Sequence, residues 1–71
     1  MKVKFSVIAN ILEEAREVAE EEIKRFTQTE GTLTATGATP YETHYERTVG
    51  GQETSRITSW EVFFEYHEYR L

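Results

Sequence analysis

From Thr32 to Leu71 the chain reads as two long β-runs either side of a glycine pair, Gly50-Gly51. Such a pair supplies the positive φ values that a two-residue hairpin turn demands. This hairpin takes more than half of a 71-residue chain, so little is left to cover it.

If Val49 faces Gln52, counting outward pairs Tyr45 with Arg56, Thr43 with Thr58 and Tyr41 with Trp60. Thr39 then meets Val62, Gly37 meets Phe64 and Ala35 meets Tyr66. The register gathers Trp60, Val62, Phe64 and Tyr66 on one face with Leu33, Ala35 and Tyr41. A three-residue loop would break the match, because one step of slip turns a whole strand over. The ring of Phe64 is expected to cover the bare backbone of Gly37. Pro40 has no N–H to give a ladder, which predicts an edge position or a bulge for its strand.

The segment before the hairpin holds one strand and one helix. Val3, Phe5, Val7 and Ala9 alternate with Lys2, Lys4 and Ser6, the period of a strand with one buried face. Asn10 with Glu13 three positions on reads as an N-cap and its capping-box partner. Ile11, Leu12, Ala15, Val18, Ala19, Ile23 and Phe26 follow at helical spacing. Glutamates fill the other side, and Glu20–Lys24 and Glu21–Arg25 have the spacing of i,i+4 ion pairs. The helix is expected to end near Thr27, with Gly31 marking the turn out of it.

The last strand is apolar on both faces, since Ile57, Phe63 and Tyr69 lie opposite Trp60, Val62 and Phe64. A strand of that kind belongs in the middle of a sheet. The expectation is an α+β fold of order β-α-β-β over residues 1–71 as a single domain. Its three-stranded antiparallel sheet has order 1-3-2, with the helix on one face. The first strand spans roughly 27 Å and the helix roughly 24 Å, so these two layers match. Each hairpin strand is about twice as long. The stretch from Glu42 to Ser59 therefore projects as a two-stranded arm, unless a bend at Pro40 folds it back. An isolated ribbon is marginal in water, so the arm calls for a partner.

Composition narrows the function classes. With no cysteine, disulfides, thiolate metal sites and cysteine nucleophiles are excluded, and a reducing compartment fits. Oligomerisation remains as a staple for so short a chain. No stretch has the length of a membrane span, and Met1–Phe5 is too charged for a signal peptide. A cytoplasmic location without membrane partners is expected. The formal net charge is −5 and the eight basic residues are scattered, which disfavours nucleic-acid binding.

Few constellations suggest chemistry. His44 lies between Glu42 and Glu46 on its strand face, and His67 beside Glu65, which are ligand types that zinc accepts. The expected register sets His44 against Ile57 and His67 against Thr34, roughly 34 Å apart. The two groups read as solvated polar residues, and no metal site is expected. Helix glutamates line a solvated face. No G-x-S-x-G elbow or phosphate-cradling glycine loop is present. No catalytic residue and no enzymatic activity are expected.

Trp60 and Tyr41 meet where the covered half of the hairpin joins the arm. Exposed, they would anchor a ligand or partner protein; buried, they close the core. On the face away from the helix, Ile8, Ala38, Ile57, Phe63 and Tyr69 alternate with threonines and glutamates. That face is too apolar for full exposure and reads as a subunit interface, together with Tyr45 on the arm.

The order strand, helix and long hairpin, the chain length and the aromatic last strand resemble the dodecins, small flavin-binding proteins that assemble into hollow dodecamers. Dodecins stack flavin on a tryptophan in the strand after the helix. Here that strand offers Tyr41, while Trp60 stands on the last strand and Gln52 in the turn. The flavin-site roles are not carried across, and no cofactor is expected. The short acidic chain with its Glu-rich helix also looks like accessory proteins of bacteriophages, some of which block host proteins. The leading expectation is a non-enzymatic, acidic homo-oligomer that binds protein, such as a basic host protein. The alternatives are a flavin-type ligand-binding oligomer and a purely structural assembly subunit.

Overall fold

The computed structural model describes residues 2–69. The elements are β1 (Lys2–Ala9), α1 (Leu12–Phe26), β2 (Gly31–Arg47) and β3 (Glu53–Glu68). The sheet is antiparallel with order β1-β3-β2, as the two-faced apolar pattern of β3 requires. The fold is α+β with a long C-terminal hairpin. The expected end of β3 at Leu71 falls outside the described residues.

β1 pairs with β3 without a break, from Lys2 opposite His67 to Ala9 opposite Trp60. Directly opposed residues share a face, so Val3, Phe5, Val7 and Ala9 stand with Tyr66, Phe64, Val62 and Trp60. The Phe5 and Phe64 rings stack at 5.7 Å between centroids. Helix α1 lies over this face on Ala15 and Ala19, both fully buried. Their methyl groups let the helix axis come close to the sheet. The core is Val7, Ala15, Ala19, Val62 and Phe64, with Phe5, Ala9, Leu33 and Trp60 packed around it. Burying side chains such as Phe64 stabilises the fold by about 1.5–3 kcal/mol each.

Three local expectations are corrected. First, Asn10 does not cap the helix. The first helical bond runs from the Ala15 N–H to the Ile11 carbonyl at 3.2 Å, so Ile11 takes the cap position without a side-chain bond. Asn10 stands one residue too early to reach the free N–H groups of the first turn. Second, the helix pairs are Arg16–Glu20 at 3.2 Å and Arg25–Glu22 at 3.5 Å instead of Glu20–Lys24 and Glu21–Arg25. Arg16 also donates to the Leu33 carbonyl at 3.3 Å, which ties the helix to β2. The C-terminal expectation holds, with Thr27 as C-cap.

Third, the hairpin register differs. Thr48 and Gln52 close a three-residue loop, with Thr48 N–H to Gln52 O at 2.8 Å and Gly51 N–H to Thr48 O at 2.9 Å. A two-residue type I′ turn needs positive φ at both central positions, and here only Gly51, at +80°, has it. The arm is therefore slipped by one: Tyr45 faces Ser55, Thr43 faces Ile57 and His44 faces Arg56. Further irregularities fall between Ala35 and Gly37, Pro40 and Glu42, and Glu42 and Thr43. They re-phase the pairing, so Leu33 and Ala35 stand opposite Tyr66 and Phe64 on the helix face. Pro40 faces Trp60, and Tyr41 has no opposite residue.

The hairpin does not fold back at Pro40. The molecule measures 63 × 17 × 13 Å, and β2, of 17 residues, spans about 58 Å when extended. Its radius of gyration is 16.7 Å, against about 11 Å for a compact chain of this length. The surface is 5750 Å², roughly 1,200 Å² more than a compact monomer of this mass exposes.

Candidate binding surfaces

β1 ends at Ala9, opposite Trp60, and α1 reaches no farther, so among the described residues the arm has no second layer. Every residue from Glu42 to Ile57 is exposed. Cover resumes at Ser59, whose buried hydroxyl donates to Glu42 Oε1 at 3.3 Å across the arm's base. Arm side chains otherwise bond along the ribbon. Thr58 and Thr54 donate to the Glu42 and Glu46 carbonyls at 3.3 and 3.5 Å, and His44 meets Glu46 at 3.1 Å. Tyr45, 69% exposed, stands out from this polar ribbon without apolar cover.

The sheet face away from α1, here the open face, carries Ile8, Phe63 and Tyr69, all exposed. Phe63, 37% exposed, faces Ser6 on one side and Gly37 on the other, two small residues that leave part of its ring uncovered. The ring expected over Gly37 was that of Phe64; the register puts Phe63 opposite instead. No ring covers this glycine, since a Cβ built there meets nothing within 4 Å. Tyr69 is held by a 2.8 Å bond between its hydroxyl and Thr32 Oγ1. Lys2 and Lys4 converge on Glu65 at 3.0 and 3.8 Å. The Lys2 hydrogen bond, with the charges of Lys2, Lys4 and His67, holds the Glu65 carboxyl below the usual range.

Two members of the expected interface move. Ala38 faces Val62, a core residue, so it stands on the helix side; the irregularity after Ala35 shifts its phase by one. Ile57 faces Thr43 and is separated from Phe63 by the irregularities at the arm's base. Simple alternation therefore does not place those two side by side. The Trp60–Tyr41 pairing is also corrected. Trp60 packs on the core opposite Pro40, while Tyr41 is exposed. The two meanings weighed for this pair are thus divided between its members.

Sequence reasoning missed three contributors. Gly31 touches β3 so closely that a Cβ there would collide with the His67 carbonyl and the Tyr66 ring. The Tyr66 hydroxyl donates to the Thr29 carbonyl at 2.6 Å, and burial raises its pKa above the ordinary phenol value. The third is the helix flank. Val18 and Phe26, read as core, are 44% and 65% exposed, and with Ile23 they line an apolar groove against Val3, Phe5 and Val7. A helix seated on two alanines sits low and leaves its side rows uncovered, a signal present in the Ala15–Ala19 spacing.

Among the described residues no group of three His, Asp or Glu side chains converges as metal ligands, and no helix is long and apolar enough to cross a membrane. Comparison with known proteins found no matching family model, no matching curated protein and no matching solved structure.

Proposed function

We propose that this chain is a non-enzymatic binding module whose working state is a homo-oligomer, with the arm and the open face given over to contacts with other chains. The observation that carries the reading is the surplus of exposed surface: about 1,200 Å² beyond a compact monomer, on an arm with no cover of its own. A standard interface removes about 800 Å² from each partner, so the surplus has the size of one such contact. Phe63, Ile57, Tyr45 and Tyr69 are the exposed side chains suited to bury there. Tyr and Phe bring large apolar area at small entropy cost. The net charge of −5 favours a basic protein as the further partner, by electrostatic complementarity. A cytoplasmic role as an accessory or inhibitory protein, of the kind bacteriophages encode, fits this chemistry.

Native mass spectrometry of the purified protein tests the reading, because it reports copy number and retained ligand together. The expected result is a ligand-free multiple of the 8.3 kDa chain. A retained flavin-type chromophore would replace protein binding with ligand storage. Phe63→Glu is expected to lower the copy number while the circular dichroism of the helix-covered half is kept. An unchanged mass for that variant would remove the open face from the interface.

A further inference from the structure

The sheet has two free edges, and they differ. β2 is interrupted by Pro40 and by three irregularities in its pairing, devices that blunt an edge against further strands. β1 has no proline and no irregularity, and its two lysines, Lys2 and Lys4, are paired with Glu65 on β3. Its eight residues pair regularly with β3, so its other edge presents an evenly spaced row of unpaired N–H and C=O groups. Beside that row lies the apolar groove of Val3, Phe5, Val7, Val18 and Phe26. Backbone and side chains thus offer one continuous surface.

We propose that this surface docks on the same surface of a second copy, β1 against β1 in antiparallel fashion about a two-fold axis at Ser6, giving a continuous six-stranded sheet. The inference rests on the homo-oligomer reading above and names its first contact. An axis at Ser6 pairs Val3–Ala9 with the same segment of the second copy, seven of the eight residues of the strand. Phe5 then meets Val7 of the second copy and Val3 meets its Ala9, all on the helix side, and an aromatic opposite a β-branched residue is a favourable cross-strand pair.

The helices confirm the spacing. Helix α1 lies over β1 and β3 and scarcely over β2. With strands about 4.8 Å apart, two helices placed in this way on either side of a β1–β1 junction run about 10 Å from each other. That separation is the upper end of ordinary helix packing, about 8–10 Å. Val18 and Phe26 are then buried between the helices. The two-fold axis also makes the helices antiparallel. Glu13 and Glu14 in the first turn of one come beside Lys24 and Arg25 in the last turn of the other. Glu14 and Arg25 stand four residues before and three after Val18 and Glu22, respectively, on the groove side. The pairing leaves both arms free, pointing in opposite directions, for the remaining contacts.

A cysteine-free chain lets one introduced thiol report the axis. Ser6→Cys places two thiols directly opposite, with Cα atoms about 4.5–5.5 Å apart, inside the range a disulfide spans, about 4.4–6.8 Å. Mild oxidation is expected to link this variant at least about tenfold faster than Ser55→Cys on the arm. A mixture of Lys4→Cys and Ile8→Cys is expected to link as the heterodimer in preference to either homodimer. Val18→Glu is expected to weaken the dimer while keeping the helical circular dichroism; should it unfold instead, the thiol variants decide alone. If the mass is oligomeric but Ser6→Cys links no faster than Ser55→Cys, this interface is overturned and the oligomer reading stands. A monomeric mass overturns both.

Discussion

Gly31 and Gly37 lie six residues apart on β2, and the structure separates them sharply. A Cβ at Gly31 would press into the His67 backbone carbonyl and come within 2.6 Å of the Tyr66 ring. At Gly37 it would meet nothing within 4 Å. Neither glycine has a positive φ, so backbone strain does not distinguish them and sterics alone should. Overpacking at Gly31→Ala costs about 1–3 kcal/mol. Displacing Tyr66 from the Thr29 carbonyl removes a further ~1 kcal/mol. Together they predict a loss of about 2–4 kcal/mol, or about 10–25 °C in melting temperature for a domain of this size. Gly37→Ala should instead be neutral or stabilising by up to about 1 kcal/mol, because alanine restricts the unfolded chain. The comparison is made by thermal and urea unfolding at one fixed protein concentration, since association shifts melting temperatures. Equal effects at the two positions would refute the close approach of Gly31 to β3 and with it the observed register at that end of the sheet.

Other consequences are more local. Tyr66→Phe should cost about 1 kcal/mol through the lost bond to Thr29. Because the folded state raises the Tyr66 pKa, wild-type stability should hold below the ordinary phenol pKa and fall as pH rises through the raised value; the variant should lack that alkaline component. Glu65 has the opposite sign. Its lowered pKa contributes stability above the ordinary carboxylate value that is lost as pH falls through the lowered one, and an NMR titration should find the Glu65 midpoint below that ordinary value. In the loop, Gly51→Ala should cost about 1–2 kcal/mol because of the left-handed backbone there, whereas Gly50→Ala should be mild, as urea unfolding would show.

Strand order was legible because β3 is apolar on both faces while β1 and β2 are not. The surplus of hairpin was legible from lengths, since no helix of fifteen residues can cover a hairpin with strands of sixteen and seventeen; that it projects instead of folding back at Pro40 was not, and is seen only in the 63 Å length of the structure. The register was not. Two adjacent glycines look alike in sequence, yet the loop uses Gly51 alone in the left-handed region, and that choice shifts the arm by one residue. Irregular pairing at Ala35–Gly37 and around Pro40 then decides which face Ala38 and Tyr41 take. Pro40 announced irregular pairing around itself; nothing in the threonine-rich stretch before it announced the irregularity between Ala35 and Gly37. The open face could be read at Phe63 and Ile8 because β1 and β3 pair without a break, and at Tyr69 because it follows β3 directly. The groove at Val18 and Phe26 was hidden by the helical pattern, which shows that a stripe is apolar but not how much of it the neighbouring sheet is wide enough to cover.

The central claim, that the surplus surface is covered by other copies of this chain, is tested most directly by sedimentation velocity across micromolar to submillimolar concentration. The account predicts a species with a mass that is a multiple of 8.3 kDa, larger at the upper end of the range than the dimer that the β1 contact alone would give. A single 8.3 kDa particle throughout, with the friction of a 63 Å rod, would contradict it.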